Sequence, residues 1–160
     1  MKKTMKTREA VALHTLLNEA SLAAMKTGRE KYAIIKALRA LKQVAKPFQE
    51  FRDMAAQRLA APDHAMHAQR EQEWRDALRQ WEENGREGEQ PTLPEGTQDY
   101  IRRFTGELNA LLEEEGDKEV TVDLPPLDED AMVALLDGNE WEVGQAAFVD
   151  EWMADNSMEP

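Results

Sequence analysis

His64, His67 and Glu71 stand three and four residues apart, the spacing that brings side chains onto one helix face where they could close on a transition-metal ion. Such an ion needs further strong ligands, and the flanking sequence supplies none. The chain has no cysteine, which removes thiolate nucleophiles, disulfides and Cys-based zinc sites together. The expectation is two exposed histidines near a helix N-terminus, with neither a metal nor any other cofactor.

Two acid pairs raise a second chemistry. Glu50-x-x-Asp53 and Glu73-x-x-Asp76 have the i, i+3 spacing with which all-helical nucleotide pyrophosphatases hold Mg²⁺ against a nucleoside triphosphate. Acids make up 32 of the 160 residues, so such pairs arise freely by chance. No lysine and asparagine constellation beside them demands a nucleotide. Nucleophilic catalysis has less support still. The serines are Ser21 and Ser157, neither in a sharp glycine-flanked turn, and there is no glycine-rich phosphate loop. No enzymatic activity is expected, and the Mg²⁺-dependent pyrophosphatase is the enzymatic alternative.

The net charge of −12 conceals a separation along the chain. Residues 1–60 carry thirteen lysines and arginines against five acids, a balance of +8. Residues 61–106 carry six against ten, or −4, and residues 107–160 carry Lys118 alone against seventeen acids, or −16. Such asymmetry steers partners or draws the two ends of a chain together. Lys26, Arg29, Lys31, Lys36, Arg39, Lys42 and Lys46 make the basic third a possible phosphate-binding face, with Lys31 and Lys42 close to one stripe. The acidic third reads as the working surface. Glu113, Glu114 and Glu115, then Asp128, Glu129 and Asp130, are carboxylate clusters, and Trp141, Phe148 and Trp152 lie among them. Acids interleaved with large apolar side chains suit a basic, partly apolar groove on another protein.

Helices must position these groups. Thr7 is a candidate N-cap for a first helix ending near Lys26 before Gly28, with Val11, Leu13, Leu16, Leu17 and Ala20 on one face. A second helix runs from Arg29 to about Ala60. Its heptad seam is Ile34, Leu38, Leu41, Ala45, Phe48, Arg52, Ala55 and Leu59, with Phe51 filling the gap at Arg52. Pro47 inside it predicts a kink near Val44 or a new helix starting at the proline. A third helix spans His64 to Asn84 with Trp74, Leu78 and Trp81 on one side, and a loop follows from Arg86 to Gly96. Thr97 caps a fourth helix carrying Ile101, Phe104, Leu108 and Leu111, ended by Gly116. Val120, Val122 and Leu124 alternate as a short strand, whose partner would be Gln90 to Leu93 or an edge on another chain. Asp128 caps a short helix with Met132, Leu135 and Leu136, Trp141 to Trp152 follows, and Asp155 to Pro160 reads as a disordered tail.

The run Gly28-Arg29-Glu30-Lys31-Tyr32-Ala33-Ile34-Ile35-Lys36, then Lys46-Pro47, Glu83-Asn84-Gly85 and Glu119-Val120-Thr121-Val122-Asp123-Leu124 resembles an uncharacterised family of short phage and prophage proteins. The resemblance covers most of the chain and implies a phage origin, a small helical accessory role and no catalytic residues. The tryptophan-rich end after Asp137 departs from the family's pattern.

The fold expected is mainly α: a helical bundle or long helical hairpin over residues 1–116, with a small β element and an acidic C-terminal appendage over 117–160. The N-terminus leads into an amphipathic segment broken by His14, Asn18 and Glu19, so neither a signal peptide nor a membrane span is expected, and the location expected is cytoplasmic. The function expected is stoichiometric binding of a basic protein, such as a host defence or nucleic-acid-handling enzyme, as an inhibitor or nucleic-acid mimic. Direct nucleic-acid binding ranks below this. The non-enzymatic alternative is a virion or assembly component that self-associates through its helical seam.

Overall fold

Lys2, Thr4 and Lys6 face Asp123, Thr121 and Glu119 across a two-stranded antiparallel sheet, β1 (Lys2–Lys6) and β2 (Glu119–Asp123). Opposite charges at both ends and a Thr4–Thr121 hydroxyl contact of 3.3 Å line one face, the kind of cross-strand pairing that stabilises an antiparallel ladder. The other face turns Met5 and Val122 into the core. The partner of the late strand is therefore the chain's own start, not Gln90 to Leu93. The basic start is a strand because an acid-flanked strand faces it. The Met1 amino group also donates to Asp123 Oδ1 at 2.9 Å, and this bond holds the Asp123 carboxyl below its ordinary range.

The structure, a computed structural model, describes residues 1–156. Between the strands lie α1 (Thr7–Asn18), α2 (Gly28–Leu59), α3 (His64–Glu83) and α4 (Glu95–Gly116); α5 (Glu129–Asp137) and α6 (Val143–Met153) follow β2. The mainly helical class with a small β element is what is observed. Among the described residues, no helix is long and apolar enough to cross a membrane.

Several boundaries differ from expectation for identifiable reasons. Lys6 takes the N-cap of α1, and the Thr7 hydroxyl donates instead to the Lys118 carbonyl at 2.8 Å. Helix α1 stops at Asn18 rather than near Lys26, because residues 19–27 turn to place Met25 in the core. Thr27 and Glu30 then exchange side-chain and backbone hydrogen bonds as a capping box, which starts α2. Helix α2 runs unbroken through Pro47, so no new helix begins there. Proline leaves the Gln43 carbonyl without its usual donor, but Gln43 and Pro47 are both exposed and water can serve it. The seam holds, with Ile34, Leu41 and Ala55 buried and Arg52 exposed. Thr97 lies inside α4, not at its cap. Asp128 does cap α5, its Oδ1 accepting from the Ala131 amide at 2.8 Å. Asp155, placed in the disordered tail, donates its amide to the Leu127 carbonyl at 2.8 Å. Ser157 and the rest of that tail lie outside the described residues.

The chain divides into two compact units, one from Met1–Glu50 with Glu114 onward, the other Phe51–Glu113. The first has an apolar core in which Leu13 and Leu17 of α1, Ile34 and Leu41 of α2, Val122 and Leu124, Leu135 of α5, and Val149 and Met153 of α6 are buried. Residues 117–160 are thus no appendage to a domain at 1–116. Burying each such leucine or isoleucine contributes about 1.5–3 kcal/mol, so the C-terminal helices are integral to that unit.

The second unit is built differently. Its buried residues among those described are Ala55, His67 and Thr97. Trp74, Leu78, Trp81, Ile101, Phe104 and Leu108 are half-buried. The loop after α3 is held by Trp74 Nε1 donating to the Pro91 carbonyl at 3.1 Å and Trp81 Nε1 to that of Gly88 at 3.3 Å.

Candidate partner-binding surface

The parallel backbone bridge between Leu127 and Ala154 closes the base of the α5–α6 pair. The Leu127 amide donates to the Met153 carbonyl at 2.7 Å, and the Asp155 amide returns to Leu127. Above it opens a groove of about 300 Å³ floored by Leu127, Met132, Val133 and Leu136 and rimmed by Glu129, Asp150 and Asp155. Glu129, Met132, Val133 and Leu136 recur at i, i+3, i+4 and i+7, one face of a helix. Ala131, Ala134 and Leu135 lie in the core, as do Leu127 and Met132, so Val133 and Leu136 carry most of the floor's accessible apolar surface. No lysine or arginine follows Lys118 in the chain. Among the described residues, Glu129, Asp130, Asp137, Asp150 and Glu151 form no ion pair. The groove is apolar at its base, and at its rim Glu129 and Asp150 carry negative charge that forms no ion pair among the described residues.

The expected contact residues divide. Glu129 lines the groove, while Asp128 and Asp130 flank it and are exposed. Glu113, Glu114 and Glu115 stand near the end of α4, none of them in the lining. Glu115 accepts from Lys118 Nζ at 2.7 Å, which raises the lysine above its ordinary range. Trp141, Phe148 and Trp152 are half-buried against the core rather than displayed. The Trp152 indole nitrogen is enclosed and has no acceptor among the described residues. Aromatics among acids in sequence proved to be core-facing residues of α6 and its approach. The missed lining residue Val133 carried a signal, the helical repeat Glu129, Met132, Val133, Leu136, but Leu135 in the same run obscured which face was which; Asp150, on α6, carried none.

The paired histidines are not the exposed pair expected. His67 is buried, with Nδ1 2.9 Å from Thr97 Oγ1 and Nε2 3.1 Å from Asp63 Oδ2. A carboxylate only accepts, so Nε2 carries a proton toward Asp63, and the Thr97 hydroxyl, which can donate or accept, partners Nδ1. The His67 ring stacks on Tyr100 at 4.5 Å between centroids. The Tyr100 hydroxyl takes the Ala61 amide at 3.1 Å and meets His64 Nδ1 at 2.7 Å. Glu71 pairs with Arg75 instead. The order Thr97–His67–Asp63 is that of a nucleophile, base and orienting acid, but Thr97 has no exposed surface. It ties α3 to α4. Among the described residues no cluster of three or more metal-ligating side chains forms. Glu73 and Asp76 accept from Gln69 and Gln72, each at 3.1 Å.

The ends of the chain do attract one another, locally. Lys6 lies 3.8 Å from Asp117, and Arg8 pairs with the same carboxylate. The α2 cations stay out of this. Arg29, Lys31, Lys36, Arg39, Lys42 and Lys46 are exposed and, among the described residues, none forms an ion pair.

No protein-family model, curated protein or solved structure matches the chain. The functional reading is carried by the residues themselves.

Proposed function

We propose that this chain is a non-enzymatic binding protein that takes a basic protein partner in the groove between α5 and α6. The observation that carries the reading is the juxtaposition of an apolar floor with the Glu129 and Asp150 carboxylates, which form no ion pair among the described residues. A partner segment presenting lysine or arginine around two or three apolar side chains satisfies both parts, the cations steering its approach and the apolar contacts holding it. In the phage setting implied by the resemblance, the partner is a host defence or nucleic-acid-handling enzyme, and binding inhibits it. The groove replaces the aromatics Trp141, Phe148 and Trp152 as the proposed anchor.

The test is affinity capture with the full chain beside two groove variants, Glu129→Lys/Asp150→Lys and Val133→Lys, all at exposed positions. A basic protein retained by the parent and lost from both variants, with association slowing as salt rises, supports the assignment. Retention that is indifferent to both variants overturns it.

A further inference from the structure

We infer that the outward face of α2 is a second, independent binding surface, for the phosphate backbone of double-stranded nucleic acid. Lys31, Lys36, Arg39, Lys42 and Lys46 are all exposed on this helix. At about 100° per residue they fall within one half of its circumference. The other half holds Ile34, Ala37 and Leu41, which are wholly buried in the core of the first unit. From Lys31 to Lys46 the stripe runs about 22 Å at the rise of an α-helix. That is enough to follow several successive phosphates of a duplex strand.

Three observations select a polyphosphate over other anions. First, none of these cations forms an ion pair among the described residues, although Glu50 lines one pocket with Lys42 and Lys46. The acid nearest in sequence, Glu30, turns back so that its Oε2 accepts from the Lys26 amide at 3.0 Å and the Thr27 amide at 3.4 Å. Second, the face is lysine-rich and poor in apolar groups, whereas the centre of a protein–protein interface is depleted of lysine and needs a desolvated anchor. Its exposed apolar residues are Tyr32 and Ile35. Third, the Tyr32 ring lies beneath two of the cations, Lys36 Nζ at 4.8 Å and Arg39 Cζ at 6.0 Å from its centroid. This contact holds long side chains that would otherwise lose freedom on binding. The net charge of −12 does not oppose the assignment, because residues 1–60, which hold α2, balance at +8 on their own. Contacts of this kind position a protein without reading bases, so the surface is indifferent to sequence.

Fluorescence anisotropy of a labelled duplex of about 25 base pairs, titrated with the full chain from about 50 to 200 mM salt, reads the proposal directly. Five phosphate contacts give a slope of log affinity on log salt near −4.5, or about a 500-fold loss over that range. Two duplexes of unrelated sequence should bind alike. Lys36→Ala/Arg39→Ala/Lys42→Ala should make the slope shallower by about 3. Alanine is the strongest helix former, so unchanged helix content and melting midpoint confirm that this variant is folded. Glu129→Lys/Asp150→Lys should not weaken duplex binding, which separates this surface from the α5–α6 groove. No binding at about 50 mM salt, or a slope unmoved by the triple variant, overturns the proposal. So does salt-sensitive self-association in sedimentation velocity that the triple variant abolishes, since the occupant of the face would then be the acidic surface of a second copy.

Discussion

The carboxamide of Asn139 and the backbone of Ser21 exchange two hydrogen bonds: Ser21 N–H donates to Asn139 Oδ1 at 2.8 Å, and Asn139 Nδ2 donates to the Ser21 carbonyl at 3.0 Å. Asn139 Nδ2 also reaches the Leu135 carbonyl at 2.8 Å, so one side chain closes the end of α5 and fixes the turn that follows α1. Gly138 lies close beneath, where a Cβ would approach that of Ala24 to 3.3 Å. An amide is needed for this, because the site asks for an acceptor and donors at once.

Asn139→Ala should cost about 0.5–1.5 kcal/mol, since the Ser21 amide and carbonyl are exposed and exchange Asn139 for water. Asn139→Asp keeps the acceptor and loses the donors, and should fall between. Urea unfolding at neutral pH measures both, and an unchanged slope with a lower midpoint shows that stability alone has moved.

His14 sets an acid limit on stability. Burial, and secondarily the charge of Lys42, hold its pKa below the ordinary histidine value. In the unfolded chain it titrates near about 6.5. As pH falls through that value the unfolded chain takes up the proton first, so stability declines, while above it His14 contributes no pH dependence. His14→Gln should flatten the unfolding midpoint between about pH 7.5 and pH 5 relative to the parent. A titration of the His14 ring by NMR should place its midpoint below about 6.5.

Leu135, with no exposed surface, should lose about 2–5 kcal/mol as alanine. Truncation after Pro125 removes Leu127, Met132, Leu135, Val149 and Met153 from the core of the first unit. Circular dichroism and thermal melting of that fragment should show no cooperative transition for the first unit.

The second unit should open more readily than the first. Its buried groups are small or polar, and local stability follows buried apolar contact. Amides of α3 should exchange with solvent sooner than those of the Ile34–Leu41 stretch of α2. Thr97→Val deprives the buried His67 Nδ1 of its hydrogen-bond partner at a cost of about 1–3 kcal/mol, and Thr97→Ser should restore most of it. Hydrogen exchange at α3 and α4 reads both variants.

Periodicity made α2 and its seam legible, and a carboxylate ahead of an apolar run revealed the α5 cap. What escaped depended on distant partners. Lys2 to Lys6 has weak strand propensity, and its pattern gains meaning only opposite Glu119 to Asp123. Thr97 looked like a cap because threonine usually is one at a helix start. Here the His67 ring claims its hydroxyl, two helices being joined by a bond that no local spacing announces. Trp141 and Trp152 were misread for the opposite reason: acids beside them suggested exposure, while alternate faces of the same segment pointed to core and solvent.

The pairing of β1 with β2 fixes an order of events at the ribosome. Strand β1 emerges before β2 and cannot find its ladder partner until Asp123 has cleared the exit tunnel, by which time residues 51–113 are already free to form their own short-range contacts. Leu13, Leu17, Ile34 and Leu41 lack the cover of Leu135, Val149 and Met153 throughout that interval, because these three are made later still. Until α5 and α6 are made, that part of the core lacks its cover, and a chaperone or a premature neighbour can meet it before those helices do.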